Sequence, residues 1–168
     1  FYRQEQSDHS TIEPASLLEE VASMCRGIFP KSIAVALEVE PGLPTISGNH
    51  GQLRQCLANL CANARDAVST STPVANDSHT IHLRARLLPR GVDDHPPPDG
   101  QQASDSTLVR IDIVDDGIGM DEATRERIFE PFFTTKEAGG PAGLGLAAAY
   151  GIIRDHSGWI GCESEPGR

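Results

Sequence analysis

No stretch of the 168 residues approaches the roughly 18 consecutive apolar positions of a membrane span, and no signal-peptide pattern opens the chain. Basic residues are scarce: 14 Lys and Arg stand against 24 Asp and Glu, a net charge of −10. That balance excludes nonspecific contact with nucleic acid or an anionic membrane surface, so any polyanionic ligand has to be held by local chemistry. Cysteine is sparse too. Cys25, Cys56, Cys61 and Cys162 show no CxxC spacing, which argues against zinc and leaves them as small apolar residues kept reduced. The six histidines have neither metal-ligand spacing nor a flanking base, and all are read as non-catalytic. What remains is a 38% hydrophobic chain, enough for one core and one domain. It is expected to be cytoplasmic and to make no direct membrane contact.

Residues 49–69, NHGQLRQCLANLCANARDAVS, carry the clearest pattern. At about 100° per residue, Leu53, Cys56, Leu57, Leu60, Ala64, Ala67 and Val68 fall on one broad apolar stripe. Gln55, Asn59, Asn63 and Asp66 form a narrow polar stripe beside it, within roughly 80° of arc. A surface helix would carry Lys and Glu there, because Asn and Asp are poor helix formers. Two readings fit: the amides cap neighbouring loops, or they face a ligand. For the second, Asn63 offers a neutral carbonyl oxygen, a hard ligand for Mg²⁺ that adds no repulsion toward phosphates on the same ion.

Around that helix the periodicities predict further elements. Leu17, Leu18, Val21, Met24, Cys25 and Ile28 recur at three and four, a helix ended by Gly27 and Pro30. Alternation predicts strands over 32–40, 80–88 and 108–114, a short one near Ile46 and another over 159–164. Asn49 is the expected N-cap of the central helix. Residues 69–78 and 89–106 read as loops, the second having almost nothing apolar to bury. A short helix is expected over 122–128, and a last one through Leu146, Ala149, Tyr150 and Ile153, ended by Ser157-Gly158.

Two glycine motifs follow strands or open helices. Asp115-Asp116-Gly117-Ile118-Gly119-Met120 closes the strand at 108–114. Its glycines let backbone approach a flat ligand, and a carboxylate at a strand tip can accept from an exocyclic amine such as adenine's. The same run is common in plain turns. Gly139-Gly140-Pro141-Ala142-Gly143-Leu144-Gly145-Leu146 opens the last helix, where free N–H groups and the dipole's positive end form a cradle for phosphates. Between the two, residues 129–136 (FEPFFTTK) join exposed aromatics to glycine hinges, as a lid would. Phe129 and Phe132 fit a satellite core cluster equally well, and Lys136 fits either a phosphate contact or a solvated cation.

In that order, NLCANARDA, DDGIGM, FEPFFTTK and GLGL resemble the N, G1, F and G2 boxes of the catalytic, ATP-binding domain of sensor histidine kinases, in the GHKL superfamily. The resemblance spans about residues 15–167. It implies an α+β fold of the Bergerat type, a two-layer α/β sandwich with a mixed sheet, helices on one face and a flexible ATP lid. By position it implies Asn63 as Mg²⁺ ligand and Asn59 beside the phosphates, the two forming the catalytic pair, with Asp66 in the same nucleotide-binding stripe. Asp115 becomes the adenine acceptor, with Gly117 and Gly119 lining the base. Gly143, Leu144 and Gly145 become the phosphate loop, Phe132 and Phe133 lid residues, and Lys136 a looser phosphate contact. Residues 1–14 are then a linker from a dimerisation domain, and 15–168 the catalytic domain with its C-terminal strand truncated.

The implied cofactors are ATP and Mg²⁺, and the implied partners are the histidine-bearing dimerisation domain of the same protein and a response regulator receiver domain. Hydrolytic members of the superfamily place a Glu four residues before the metal-binding Asn to activate water. Asn59 stands there in this chain and cannot act as a general base, which favours phosphoryl transfer over hydrolysis. The chain departs from its relatives at Pro141 and Ala142, losing one N–H donor and one hydroxyl in the phosphate loop, and at Asp116, where Asn is commoner. A nucleotide-binding pseudokinase or gating module is the alternative those first two residues motivate.

Overall fold

The computed structural model describes residues 9–70, 78–88, 108–135 and 143–167. The expected loops at 71–77 and 89–106 lie outside the described residues, as do Lys136, Pro141 and Ala142.

Helix α1 (Pro14–Ile28) begins with proline at its first turn, where a missing N–H costs nothing. Leu17, Leu18, Val21, Ala22 and Cys25 then fall on one face, each at most 1% exposed. The helix stops at Phe29, whose extended backbone suits the residue before Pro30. Strand β2 (Ile33–Val39) follows, turning Ile33 and Val35 inward. Strand β3 (Ile46–Gly48) pairs antiparallel with β1 (Ser10–Ile12). Here the boundary differs from expectation: Ser10–Ile12 lies inside the stretch read as linker, yet it forms a strand and sends Ile12 into the core. Polar composition hid it, because one apolar residue in three sets no period.

Helix α2 (His50–Ser69) is capped by Asn49, whose side chain accepts from the Gln52 backbone N–H at 2.9 Å. Its buried face holds Leu53, Cys56, Leu57, Cys61, Ala64 and Val68. Cys61 was absent from the expected stripe and is fully buried, while Leu60 and Ala67 are only half-buried and Gln55 is exposed. The buried face is thus rotated toward α1, which α2 also packs against.

Strands β4 (His79–Leu88) and β5 (Leu108–Val114) complete a mixed sheet of order β2-β4-β5, parallel across the first pair and antiparallel across the second. Val35 faces Ile81, and Leu83 lies between Leu37 and Ile113, so one face of the sheet is apolar. Helices α1 and α2 cover that face. The other face carries charge: Glu38, Arg84 and Asp112 form a row across the three strands, with Arg84 Nε 2.9 Å from Glu38. These are solvated pairs of small energetic value. The result is the two-layer α+β sandwich with helices on one face.

Two expected elements change. The helix at 122–128 shortens to α3 (Glu122–Arg125), capped by Asp121, before the chain passes into turns. Residues 159–164 alternate as a strand would, but join no ladder among the described residues. Bonds to the distant DxGxG turn hold the end of that segment instead: Met120 N–H donates to Ser164 Oγ at 2.9 Å, and Gly167 N–H donates to the Ile118 carbonyl at 2.8 Å. Helix α4 (Gly145–Asp155) packs against α2 and fully buries only Ala149.

Candidate nucleotide site

The C-terminal half of α2 brings the two glycine motifs together. At one end, the DxGxG turn leaves β5 and presses onto α2. A Cβ at Gly117 would sit 2.7 Å from the Ala67 backbone carbon, so no larger residue fits, and Ile118 N–H donates to the Ala67 carbonyl. Gly119 has a φ of +66°, which lets the turn fold back. Asp115, half-buried at the strand tip, accepts from the Gly117 N–H at 3.0 Å through Oδ1. Burial holds its carboxyl above the ordinary value, the Gly117 N–H partly offsets this, and the neighbouring Asp116 adds to it. Ile118, beside it, is 46% exposed.

At the other end, α4 starts against Asn59. The Asn59 Nδ2 donates to the Gly145 carbonyl at 3.4 Å, a long bond that engages none of the N–H groups that a helix start leaves without intrahelical partners. Gly143 has a φ of +66°, and a Cβ there would lie 2.5 Å from the Phe133 carbonyl oxygen. Gly143 therefore lies directly on the backbone of Phe132 and Phe133. Leu144 is exposed and N-caps the helix without a side-chain bond.

Asn63 lies one turn along α2 from Asn59. Its side chain is half-buried and makes no hydrogen bond among the described residues. Asp66 does not share that freedom: its Oδ1 accepts from Arg65 Nε at 2.9 Å and from Arg65 Nη2 at 2.5 Å. Phe133 is covered by Arg127, whose guanidinium carbon stands 4.4 Å from the ring centroid and whose Nε also meets Glu130 at 3.0 Å. Phe129 packs on Tyr150 at 5.6 Å, as a core satellite would. Phe132 does not; it is 72% exposed with a φ of +66°. The contacts thus link Asn59 on α2 to Gly145, Gly143 to Phe133, and Asp115 through Gly117 to the end of α2 at Ala67, with Asn63 on the same helix between the two groups and Gly119 and Leu144 adjoining them in sequence. An open groove of about 630 Å³ between α1 and β2 carries Glu19 and Glu20 at its rim, a poor setting for a phosphate chain.

Arg127, Ser164 and His156 were missed by sequence reasoning. Arg127 looks like any surface cation, because its partner Phe133 lies six residues on and off any helix. His156 did carry a signal, a polar side chain at the last turn of a helix, where free carbonyls seek donors.

Residues 48–168 match the family of histidine kinase-, DNA gyrase B-, and HSP90-like ATPases. The chain belongs to that family. Within it, similarity runs to the sensor kinases: 31% identity to the sensor kinase CckA of Brucella abortus, over 100% of this chain and 17% of the relative. The sensory histidine kinase/phosphatase NtrB of Rhodobacter capsulatus is 35% identical over 83% of this chain and 36% of its own length. Full-length ShkA, solved in complex with AMPPNP, superposes with a TM-score of 0.72 at 27% identity, covering 97% of this chain and 29% of that one. The chain therefore spans about a sixth to a third of the length of these proteins, and it is the ATPase domain of the histidine-kinase type. No helix among the described residues is long and apolar enough to cross a membrane.

Proposed function

We propose that this chain is the nucleotide-binding catalytic unit of a sensor histidine kinase. It holds ATP with its adenine at Asp115 and its phosphates at the start of α4. The γ-phosphoryl group passes to a histidine on the dimerisation domain of the same protein, and from there to an aspartate on a response regulator receiver domain in the cytoplasm.

The observation that carries this reading is the pair of amides on α2. Asn59 is engaged with the Gly145 carbonyl and has no basic atom to take a proton from water. Asn63, one turn on, has a half-buried amide without a partner among the described residues. A hard cation fits that oxygen, since Mg²⁺ carried by a nucleotide takes most of its ligands from phosphate and water and needs only one or two from protein. When bound, the ion would neutralise charge on the phosphates. The chain's own residues supply position: the Asp115 acceptor fixes the base, the α4 N–H groups orient the phosphate chain, and the Phe133 segment closes over Gly143 to exclude water. The nucleophile is left to the acceptor domain.

Mixing the chain with a separately produced dimerisation domain and γ-labelled ATP tests this. Acid-labile, alkali-stable label on the dimerisation domain is expected, with none on the chain itself. ATP binding without any phosphohistidine would favour the gating module that Pro141 and Ala142 suggest. Steady-state hydrolysis by the chain alone would return it to the hydrolytic branch.

A further inference from the structure

The N-terminus of α2 is capped in an unusual way. In a capping box, the N-cap side chain accepts from the third helical N–H, and that third residue's side chain accepts from the N-cap N–H. Asn49 makes the first bond, to Gln52 N–H, but its own N–H donates to Nε2 of His156 at 2.9 Å, from the end of α4. The ring's other nitrogen, Nδ1, lies 2.7 Å from the Ile152 carbonyl. Since Nε2 must accept from Asn49, Nδ1 carries the proton and donates to Ile152, which defines one neutral tautomer. His9 stacks on the ring at 5.3 Å and 11°. Gly48 leaves room for it: a Cβ there would lie 2.6 Å from His156 Cδ2 and 3.0 Å from Nε2.

Among the described residues, three polar ties hold α4 along α2. Two are long, Cys56 Sγ to the Ala149 carbonyl at 3.9 Å and Asn59 Nδ2 to the Gly145 carbonyl at 3.4 Å. The His156 tie is the short one, at 2.9 Å, and it adds a directional anchor to an apolar packing in which Ala149 is buried and Ile152 and Ile153 lie partly buried against the core. We infer that His156 is a positioning residue for the phosphate loop, setting the lie of α4 from the end opposite the nucleotide. At 1.5 Å per residue it stands roughly 16 Å along the helix from Gly145, too far to touch a phosphate. The adenine end is independent of it, because Asp115 and Gly117 are fixed by β5 and by Ala67 at the other end of α2. Loss of the tie should therefore weaken binding of phosphate-bearing nucleotides selectively. This inference rests on the nucleotide reading of the site.

Calorimetry on the 168-residue chain tests it with ATP and with adenosine. His156→Phe keeps a flat ring but removes the acceptor; it should lower ATP affinity about tenfold, the worth of one lost hydrogen bond of about 1.4 kcal/mol, and change adenosine affinity less than about twofold. His156→Gln, whose amide oxygen can accept from Asn49 N–H, should recover most of the loss. Gly48→Ala keeps the histidine but crowds its ring, and Leu53 Cδ1 at 3.0 Å, so it should reproduce the same split with the α4 sequence unchanged, and it serves should His156→Phe fail to fold. ATP affinity unchanged in Gly48→Ala and His156→Phe, equal loss of ATP and adenosine, or no recovery in His156→Gln would overturn the inference alone. An unmodified chain that binds no ATP would overturn the nucleotide reading and this inference with it.

Discussion

Asp115 illustrates how a single side chain trades stability for recognition. Its Oδ1 is occupied by the Gly117 N–H, and on the proposed reading its other oxygen is the one that accepts from the adenine amine. Burial raises the carboxyl's pKa above the ordinary carboxylate range, so its ionised form costs stability at neutral pH, and this stability is regained only as pH falls through the raised value. A proton on the carboxyl replaces a charged acceptor with a weaker neutral one and adds a competing O–H donor, so adenosine affinity should fall on acidification at a pH above the usual aspartate value of about 3.9. Asp115→Asn should bind every adenine nucleotide more weakly, with no titration over that range, while melting no lower than the unmodified chain. Asn63→Ala should do something different: magnesium-dependent tightening of ATP disappears while adenosine binding survives. Calorimetry with and without Mg²⁺ separates the two, and identical profiles for both variants would contradict the division of roles.

Between elements, the decisive contact is the seating of the DxGxG turn on α2. Gly117 touches the Ala67 backbone so closely that a methyl group must push β5 and α2 apart, since a helix backbone cannot yield as a side-chain tip would. Gly117→Ala is therefore expected to lower stability by about 1–3 kcal/mol and adenosine affinity with it, read by thermal melts and calorimetry together. Retained stability with retained affinity would mean the turn is not seated there. The central helix and this turn were both legible in the sequence, because each is a local pattern: a stripe of amides beside an apolar face, and glycines two apart after a strand. Less visible was what depends on a distant partner. Cys61 is buried because α1 brings Cys25 against it, β1 exists because β3 pairs with it, and His156 matters because α2 begins nearby. The alternating residues at 159–164 show the converse, a period without a ladder.

For the molecule as a whole, the question is how a chain of net charge −10 binds a polyanion. On the proposed reading the answer is local: backbone N–H groups at the start of α4 would hold the phosphates, and one ligand would touch α2, β5, α4 and the Phe133 segment. None of these elements is covalently fixed to another near the site, and three of the chain's four cysteines are buried and free. Bound nucleotide would thus act as a cross-link available only to the folded state. At 100 times the dissociation constant, mass action contributes about 2.7 kcal/mol, which for a chain of this size raises the melting temperature by roughly 5–10 °C. Adenosine at the same saturation should give the same shift, because linkage depends on occupancy and not on which end of the ligand is held. A melt that rises with ATP but stays flat as adenosine is raised to its solubility limit would mean that adenosine does not bind, and would return Asp115 to a turn residue.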